Sequence, residues 1–437
     1  MLKPHVVILG SGFGGTYVAK KLARHVKKGR IDVTIVNRTN YFLFTPLLHE
    51  VATGSLTPTS VAEPLREIFV RTGIQLDQGT VESIDRATKR IKLSGHSQLC
   101  TLSYDYLVIA SGATTNYYDI PGAEKFTYPL KNLLDAARIR SHIIDVFEQA
   151  ILISDPIERA RLLSFVVVGG GATGVEMAAE LSEFVKVITK RYYSSADKNC
   201  DPTDYRVCKP EESFITLINA GPELLQTFRH SLRAAAEKRL HQSGVAVQLN
   251  ATVTEVTGHG IRLSSGVFIA SATVIWTAGV KPVIPHFEGD MPALTGNRLA
   301  VDEYFRVSSD PHIFALGDVA GYVDRDVLNN DPTKTKTLPL FAQVAEGQSK
   351  IVAKNILSSI RKKPLLDFHY HSKGYLVSVG QWFAVGEIFS LHIFGRLTWL
   401  LWRIVYLFKF ASWKKRIRIA FEWTLEMFYP RDITKLT

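Results

Sequence analysis

The sequence predicts an α/β fold in which one structural plan occurs twice and is followed by a helical C-terminal tail. Three observations carry this prediction. Two glycine-rich loops each follow a buried strand, each half has a later strand that ends in a small-residue turn, and the last stretch is basic and aromatic. A chain of 437 residues is long enough for two or three domains. Its composition, 46% hydrophobic and 21% charged, is typical of a globular protein.

The first glycine-rich loop lies near the N-terminus. The predicted strand 5–9 runs into Gly10-Ser11-Gly12-Phe13-Gly14-Gly15, a helical stretch follows, and a second strand, 31–36, ends at Asn37. In such a unit, glycines let the backbone approach a pyrophosphate and let the helix pack on the strand, while the helix N-terminus attracts the anion. A lone motif is also compatible with a tight turn without a ligand. The flanking elements and the second copy favour a dinucleotide site.

The same plan recurs in the middle of the chain. A strand over 163–168 precedes Gly169-Gly170-Gly171-Ala172-Thr173-Gly174, and after a helix the next strand, 214–218, ends at Asn219. The polar stretch 192–213 is interpreted as a surface insertion. The later small-residue turns stand at similar distances from the two loops; they are Ala110-Ser111-Gly112 and Thr277-Ala278-Gly279. A duplicated domain plan explains this spacing better than chance.

A final apolar strand over 313–316 ends in Gly317-Asp318 and is predicted to return to the first domain. The first domain would then be discontinuous, with the second inserted into it. We therefore predict two Rossmann-like domains and a separate C-terminal region, with the boundaries 1–120 plus 296–385, 121–295, and 386–437.

The two strands that follow the glycine-loop helices end in asparagine, where an acidic residue usually binds ribose. Asn37 and Asn219 can accept a hydroxyl but lack the charge that repels a 2′-phosphate. Asn219 therefore weakens the discrimination between NADH and NADPH. Arg229 and Arg233 are placed downstream to meet a phosphate, although arginines on exposed helices are usually only solvated. We favour NADH and leave NADPH open.

Taken together, both loops, both turns and the Ala315-Leu316-Gly317-Asp318 strand resemble the flavoproteins with two dinucleotide-binding domains. Within them, the chain resembles the type II NADH:quinone oxidoreductases over nearly its whole length. The stretches that carry this resemblance are Asn40-Tyr41-Phe42-Leu43-Phe44-Thr45-Pro46-Leu47-Leu48, Thr173-Gly174-Val175-Glu176, Ala342-Gln343-Val344-Ala345 and the aromatic, basic tail. Family members usually continue with a glutamine and a glycine after the third stretch, whereas this chain has Gly347, Gln348 and Ser349.

The resemblance implies that the first domain binds FAD non-covalently and that the second binds NADH. The FAD contacts that it assigns are Gly10, Ser11, Gly12, Phe13, Gly14, Gly15, Asn37, Arg38, Thr45, Val81, Ala110, Ser111, Gly112, Gly317, Asp318, Ala342 and Ala345. The NADH contacts that it assigns are Gly169, Gly171, Thr173, Gly174, Asn219, Ala278 and Gly279.

Two residues are assigned catalytic roles by the same resemblance. Glu176 would face the flavin and bind the nicotinamide or the quinone, and Gln343 would lie beside the isoalloxazine. The implied quinone contacts are Pro46, Leu47, Gln343 and Lys373. The residues alone leave simpler interpretations open. Glu176 would then be a carboxylate stabilised by a helix N-terminus, Gln343 an ordinary helix residue, and Lys373 a turn residue before glycine.

The cysteines argue against two related enzyme classes. Three cysteines are too few for a disulfide scaffold. The stretch 41–50 lacks the redox pair that disulfide reductases of this architecture need, and Cys200 and Cys208 fall in the insertion rather than where sulfide:quinone reductases carry thiols. The 13 histidines form no His-Glu-x-x-His or similar pattern, so no metal is expected.

The tail carries most of the net charge of +11. Residues 361–437 hold 13 Lys and Arg against 5 Asp and Glu, together with five of the six tryptophans. Cations mixed with large apolar side chains are typical of a helix at a membrane surface rather than of a DNA-binding groove. Arg396 and Arg403 are predicted to share a polar helix face opposite an apolar one, and a break near Ser412 is predicted to give two helices. A dimerisation helix is the open alternative.

No run of 18 apolar residues and no targeting segment is recognised in the sequence. We therefore predict a peripheral flavoenzyme, a homodimer on the cytoplasmic face of the cell inner membrane. It would oxidise NADH and reduce a membrane quinone through FAD without pumping protons, and it would bind no nucleic acid. The alternatives are a soluble NAD(P)H-dependent reductase of a ferredoxin-like carrier and a non-catalytic nucleotide-sensing flavoprotein.

Overall fold

The computed structural model describes residues 3–95, 100–193, 207–308, 310–323, 338–372, 374–388, 391–410 and 412–435. The chain forms two compact units. Unit 1 consists of Met1–Leu43, Ala62–Thr114 and Val280–Ser372. Unit 2 consists of Phe44–Val61, Thr115–Gly279 and Lys373–Thr437. The predicted quinone contact Lys373 and the insertion residue Cys200 lie outside the described residues.

Strands are numbered in chain order as β1 His5–Leu9, β2 Asp32–Asn37, β3 Tyr41–Leu43, β4 Ala62–Pro64, β5 Gln75–Gln78, β6 Thr80–Asp85, β7 Arg90–Ser94, β8 Cys100–Ser103, β9 Tyr106–Ile109, β10 Ala113–Thr115, β11 Tyr128–Pro129, β12 Ser164–Val168, β13 Phe214–Ile218, β14 Val245–Gln248, β15 Val253–Thr257, β16 Gly260–Leu263, β17 Phe268–Ala270, β18 Thr273–Trp276, β19 Val280–Pro282, β20 Leu294–Thr295, β21 Arg298–Ala300, β22 Ile313–Ala315, β23 Ala320–Gly321, β24 Tyr375–Ser378, β25 Ala384–Ile388 and β26 Leu391–Gly395.

Helices are numbered in the same way as α1 Phe13–Lys27, α2 Leu48–Ala52, α3 Pro58–Val61, α4 Leu65–Ile68, α5 Ala123–Phe126, α6 Leu133–Ala150, α7 Pro156–Leu162, α8 Ala172–Ile188, α9 His230–Gln242, α10 Ala342–Ile360, α11 Arg396–Lys409 and α12 Trp413–Leu425.

Unit 1 is built on a parallel sheet of order β22-β9-β1-β2-β5. β1 lies in the middle because its run Val6–Leu9 is apolar on both faces, as a strand covered on both sides requires. α1 and α10 pack against each other. The antiparallel sheet β6-β7-β8 contributes Ile84 and Ile91 to a core that also contains Val7, Leu9 and Phe287. These elements place the first glycine loop at the end of a rigid central strand.

Unit 2 repeats this arrangement with the sheet β11-β18-β12-β13-β14 and the antiparallel sheet β15-β16-β17. β12 precedes the second glycine loop, as β1 precedes the first, and pairs with β18 and β13 as β1 pairs with β9 and β2. Val166, Ile261 and Trp276 lie in the core between these two sheets. The prediction of a duplicated Rossmann-like plan is therefore confirmed.

The C-terminal segment belongs to unit 2 and contains the antiparallel sheet β24-β25-β26 and the helices α11 and α12. α11 ends at Lys409 and α12 begins at Trp413, which confirms the predicted break near Ser412. The predicted polar face of α11 is wrong for Arg403. This side chain is buried between the rings of Trp399 and Trp423, because a helix face made of aromatic residues can cover a guanidinium by stacking.

The compact units begin and end at different residues from the predicted domains. The tail, predicted as a separate region, clusters with the rest of unit 2, and so does the short segment Phe44–Val61. Composition reveals that a tail is apolar and basic, but it does not reveal which surface its apolar face covers. The predicted division of the chain by ligand stays a prediction.

Trp402 tests whether the tail is an integral part of unit 2. The side chain is fully buried and lies against Tyr406 and Trp423. Replacing it with alanine leaves a cavity and is expected to lower the free energy of unfolding by about 3–5 kcal/mol. Urea unfolding followed by circular dichroism measures this loss.

The matched control is Leu397→Ala on the same helix, because the Leu397 side chain is 83% exposed. Its effect on the free energy of unfolding, measured in detergent solution, is expected to stay within about 0.5 kcal/mol. Equal effects of the two substitutions would contradict the burial of α11 in unit 2.

Candidate functional site

In the first glycine loop, which belongs to unit 1, the backbone is tightly packed at Gly10 and Gly15 and open at Gly12. A β-carbon on Gly10, whose φ is +97°, would collide with the Ala110 carbonyl oxygen, and one on Gly15 would collide with the Gly10 carbonyl oxygen. Gly12, at the start of the 15-residue helix α1, has no atom within 4 Å of the place where its β-carbon would be. Open backbone at a helix N-terminus next to a closed turn fits the pyrophosphate of FAD.

Asn37 ties the end of β2 to this loop. Its Oδ1 accepts the Ser11 N–H at 3.1 Å, and its Nδ2 donates to the Thr39 carbonyl and hydroxyl oxygens at 2.8 and 3.0 Å. Both amide hydrogens are therefore used within the protein, so only the second lone pair of Oδ1 remains for a ribose hydroxyl. The predicted ribose contact stays a prediction, and a structural role for this residue is evident.

Several other predicted FAD residues meet near the start of α10. The Gly317 N–H donates to Oε1 of Gln348 at 2.7 Å, and Gly317 has a φ of +74°. Gln348 is buried on α10. The hydrogen bond holds the Gly317-Asp318 turn beside Ala345. These residues line a cleft that is open to solvent, together with Arg298 and Phe341.

The remaining predicted residues of unit 1 are more dispersed. Ala110 is buried, and the Ser111 hydroxyl donates to the Val283 carbonyl oxygen. Arg38 is exposed, and Val81 on β6 packs half-buried against the core. Phe13, Gly14 and Gly112 lie in or near the two turns, and Ala342 and Gln343 form the first turn of α10.

Unit 2 repeats the geometry of the glycine loop. A β-carbon on Gly169, whose φ is +117°, would press on the Ala278 backbone, and one on Gly174 would collide with the Gly169 carbonyl oxygen. Gly171, next to Thr173 at the start of α8, has no atom within 4 Å of its β-carbon position. Gly279 lies at the same edge of the sheet. The arrangement fits a second dinucleotide.

Asn219 links the end of β13 to the second glycine loop, as Asn37 links the end of β2 to the first. Its Oδ1 accepts the Gly170 N–H at 3.1 Å, and its Nδ2 donates to the Gly221 and Glu223 carbonyl oxygens at 3.1 and 2.9 Å. Arg233, considered above as a phosphate contact, forms an ion pair with the Glu223 carboxylate. Arg229 is exposed.

Glu176 lies in the second turn of α8 and is 6% exposed. Its Oε1 accepts the Ser378 N–H at 3.3 Å, and its Oε2 is 3.7 Å from Nδ1 of His49. Burial raises the pKa of Glu176 well above its ordinary value, against the lowering effect of the Ser378 hydrogen bond. Burial therefore favours the neutral, protonated form of this carboxyl group.

A cluster of buried and partly buried ionisable groups lies near Glu176 within unit 2. Nη2 of Arg431 lies 2.7 Å from Glu180 and 2.8 Å from Glu426, and Nη2 of Arg403 lies 3.3 Å from Glu426. Glu50, on α2, accepts a hydrogen bond at 2.7 Å from the Trp423 indole nitrogen. The cluster joins α2, α8 and the tail. We call it the carboxyl cluster, and its members are Glu50, Glu176, Glu180, Glu183, Glu426, Arg403 and Arg431.

Sequence reasoning missed most of the carboxyl cluster. The available signal was the polar pair His49-Glu50 inside the otherwise apolar stretch 47–52, directly after the predicted quinone contacts. Of those contacts, Pro46 is half-buried and Leu47 is fully buried, while Thr45 is exposed in the same short turn. Glu426 and Arg431 are separated from α8 by about 250 residues of sequence, so no local pattern could link them.

The part of the chain that the structure describes contains neither a metal site nor a membrane-spanning helix. No group of three His, Cys, Asp or Glu side chains is arranged to hold a metal ion there. None of the described helices has both the length and the apolar character needed to cross a membrane.

Comparison with known proteins identifies the family. Residues 4–349 match the pyridine nucleotide-disulphide oxidoreductase family, and residues 372–432 match the NDH2 C-terminal domain. The type II NADH:quinone oxidoreductase Ndh of Mycobacterium tuberculosis is 33% identical over 442 residues, which cover 98% of this chain and 88% of that protein. An internal alternative NAD(P)H-ubiquinone oxidoreductase of Arabidopsis thaliana is 30% identical, with coverages of 99% and 86%.

A solved structure agrees with these relatives. NDH2 from Plasmodium falciparum in complex with NADH superposes with a TM-score of 0.85 at 25% identity, and the match covers 99% of this chain and 100% of that one. The chain therefore belongs to the type II NADH:quinone oxidoreductases, FAD-dependent enzymes within the pyridine nucleotide-disulphide oxidoreductase family.

Proposed function

We propose that this enzyme works at a membrane surface and that Glu176 donates a proton to the quinone. The reaction itself is that of the family: NADH, a proton and a quinone give NAD⁺ and a quinol, without proton pumping. When bound, FAD supplies the redox chemistry by taking a hydride equivalent from NADH and passing two electrons to the quinone. The protein provides binding, orientation and protons.

The burial of the Glu176 carboxyl away from any Lys or Arg of the described residues carries the proposal. A quinone that receives two electrons must also take up two protons. A buried neutral carboxyl can supply one of them without a water molecule in the site. Glu176 has no Lys or Arg within ion-pair distance among the described residues, so its charged form gains little compensation. After it gives up its proton, the carboxylate keeps the Ser378 N–H as a hydrogen-bond donor. A pKa raised by burial suits a general acid at neutral pH.

The residues assigned to the nucleotides act by binding. In unit 1, the open backbone at Gly12 would receive the pyrophosphate of FAD, and the Gly317-Asp318 turn, held by Gln348, would meet its ribityl side. In unit 2, Gly171 and Thr173 would receive NADH. The quinone contacts Pro46, Leu47, Gln343 and Lys373 remain part of this proposal.

The nucleotide preference is proposed to be for NADH. The Glu223 carboxylate neutralises Arg233 and would repel a 2′-phosphate near the end of β13. The side-chain amide of Asn219 is hydrogen-bonded to the backbone of Gly170 and Gly221, and it adds no positive charge.

The tail is proposed as the membrane-binding surface. α11 exposes large apolar side chains three or four residues apart, and α12 continues the pattern four residues apart. We call these residues the apolar stripes; they are Leu397, Leu400, Ile404 and Phe408, and Trp413, Ile417, Phe421 and Leu425. Lys414 is exposed beside them and would meet anionic lipid. Arg418 is also exposed but forms an ion pair with Glu422. We extend the proposal to a homodimer on the cytoplasmic face of the inner membrane, because two copies would present two such surfaces.

Glu176→Gln tests the proton-donor role. The amide keeps the shape of the carboxyl but has no acidic proton, so we expect kcat with a short-chain quinone to fall by about 10²-fold. FAD content and the rate at which NADH bleaches the yellow flavin absorbance are expected to stay unchanged. Stopped-flow and steady-state assays separate the two half-reactions.

The control for this substitution is Glu183→Gln, which alters a partly buried carboxyl two turns along α8. We expect it to keep turnover near that of the wild type. Wild-type quinone kinetics in Glu176→Gln would remove the role assigned to Glu176.

Glu223→Ala tests the nucleotide preference. Freed from its partner, Arg233 can meet a 2′-phosphate, so the ratio of kcat/KM for NADPH to that for NADH is expected to rise about tenfold. Glu237→Ala, which removes an exposed glutamate of α9, is the control. An unchanged ratio would show that Glu223 takes no part in the preference.

Vesicle binding tests the tail. Phe408→Ser with Phe421→Ser removes two exposed rings from the apolar stripes, and sedimentation with phosphatidylglycerol vesicles is expected to weaken at least tenfold, at about 1.5–3 kcal/mol per ring. Leu152→Ser with Ile157→Ser, at exposed apolar positions outside the tail, should leave binding unchanged. Equal sedimentation of both variants would exclude the stripes as the membrane surface.

A further inference from the structure

Tyr118 is an exposed aromatic residue of unit 2 that lies outside the contacts assigned so far. It is 58% exposed, and its hydroxyl lies so close to Gly279 that a β-carbon on that glycine would collide with it. The hydroxyl has no hydrogen-bond partner among the described residues. Gly279 ends the small-residue turn after β18 and is one of the predicted NADH contacts. An unpaired hydroxyl therefore lies against a turn at which a ligand is expected.

The backbone at Tyr118 adopts a conformation that tyrosine rarely takes. Tyr118 and Asp119 have φ values of +53° and +56°, and the Ile120 N–H donates to the Tyr117 carbonyl oxygen at 3.0 Å. Positive φ at both central residues is the pattern of a type I′ turn, which favours Asn, Asp and Gly at these positions. Asp119 fits that preference and Tyr118 does not. A tyrosine held in an unfavourable conformation at an exposed turn indicates a role beyond forming the turn.

Hydrogen bonds hold this turn against the end of β18. The Asn116 N–H donates to the Gly279 carbonyl oxygen at 3.2 Å, and the Asn116 carbonyl oxygen accepts the Trp276 indole N–H at 2.9 Å. Oδ1 of Asn116 accepts the Tyr118 N–H at 3.0 Å. Trp276 is 2% exposed and lies in the core of unit 2, so the turn is attached to a rigid element. The position of Tyr118 is thus fixed by contacts that do not involve its own side chain.

The matching turn of unit 1 has no such aromatic residue on it. Gly112 ends the turn after β9 as Gly279 ends the turn after β18, and their φ values are +70° and +100°. Among the described residues, no atom lies within 4 Å of the place where a β-carbon on Gly112 would be. The two copies of the fold therefore share the turn and differ in the side chain that lies on it. Tyr118 is a feature of the unit to which we assign NADH.

The strand order of unit 2 places the Gly279 turn at the nicotinamide half of NADH. In a Rossmann-like domain the pyrophosphate lies at the glycine loop after the first strand, and the adenosine ribose lies at the end of the second. Those strands are β12 and β13, so the adenosine half is expected at Asn219. β18 pairs with β12 on the side opposite β13. The nicotinamide half then extends over the end of β18 and Gly279.

We propose that Tyr118 binds the nicotinamide half of NADH through a hydrogen bond between its hydroxyl and the nicotinamide ribose. This inference rests on the proposed binding of NADH by unit 2. Tyr118 exchanges neither protons nor electrons in the reaction. It acts by restricting the position of the ribose, and hence the orientation of the nicotinamide ring from which the hydride leaves.

Tyr118→Asn is the main test, because asparagine suits a type I′ turn but is too short to bring a polar group to the same place. We expect a Tm equal to or above that of the wild type, together with a kcat/KM for NADH that is about tenfold lower. Anaerobic stopped-flow reduction of the enzyme-bound FAD by NADH measures the same loss without quinone. A lower Tm, or an unchanged kcat/KM, would overturn the proposal.

Two inhibitors locate the contact along the dinucleotide. ADP carries the adenosine and the pyrophosphate, and ADP-ribose carries in addition the ribose that Tyr118 is proposed to bind. In Tyr118→Asn, and in Tyr118→Phe, which removes only the hydroxyl, the inhibition constant of ADP-ribose against NADH should rise about fivefold. The constant of ADP should stay at its wild-type value. Equal changes for the two inhibitors, or no change for ADP-ribose, would overturn the proposal.

Phe214→Asn is the matched control. Phe214 is an aromatic residue of the same unit, is 60% exposed, and is the first residue of β13, at the edge of the sheet opposite the glycine loop. Its replacement should leave kcat/KM for NADH and both inhibition constants unchanged. A loss equal to that of Tyr118→Asn would contradict a specific role for Tyr118.

Gly171→Ala separates this proposal from the proposed NADH site. It adds a β-carbon at the start of α8, where the structure has room for it and where the pyrophosphate is proposed to bind, so ADP and ADP-ribose should both bind more weakly. If both inhibition constants stay unchanged, the proposed NADH site of unit 2 fails. If Gly171→Ala weakens both inhibitors while the Tyr118 variants bind ADP-ribose as the wild type does, only the role of Tyr118 is excluded.

Discussion

The ion pairs of Arg431 are the constraint on which unit 2 depends. The guanidinium is almost fully buried and binds Glu180 on α8 and Glu426 beyond α12, so one side chain fixes the end of the chain to the helix that carries Glu176. Removing one partner of such a buried pair leaves an uncompensated charge, which typically costs about 3–5 kcal/mol. The same pairs use up the cationic charge of the cluster. Glu50 and Glu176 are not paired with a Lys or Arg of the described residues, and burial raises the pKa of both carboxyls, which favours their protonated forms.

This arrangement gives the tail two different faces. One face of α11 packs Trp399, Trp402 and Arg403 into unit 2, and the Arg403 side chain is both stacked and ion-paired. The opposite face leaves the apolar stripes exposed. The tail therefore both exposes apolar side chains at the surface and contributes Arg403, Glu426 and Arg431 to the carboxyl cluster. The proposed membrane surface and the proposed proton donor Glu176 therefore lie in the same compact unit.

Much of this organisation could be predicted from the sequence, and the rest could not for physical reasons. The glycine loops, the sheets around them and the two tail helices follow from local patterns, because strand and helix periodicity and glycine spacing act over short stretches. The predicted polar face shared by Arg396 and Arg403 was wrong for Arg403, because periodicity finds the faces of a helix without showing which one is covered. Asn37 and Asn219 were interpreted as ribose contacts, whereas their hydrogen bonds also hold the glycine loops. The carboxyl cluster joins residues that are hundreds of positions apart, and only tertiary packing brings them together.

The central claim is that Glu176 and Glu50 both carry protons at neutral pH. Infrared spectroscopy tests it most directly, because a protonated carboxyl and a carboxylate absorb at well-separated frequencies. Difference spectra of the wild-type enzyme against Glu176→Gln and against Glu50→Gln at neutral pH should each show the loss of one protonated carboxyl band. Loss of a carboxylate band instead, in either variant, would contradict the account.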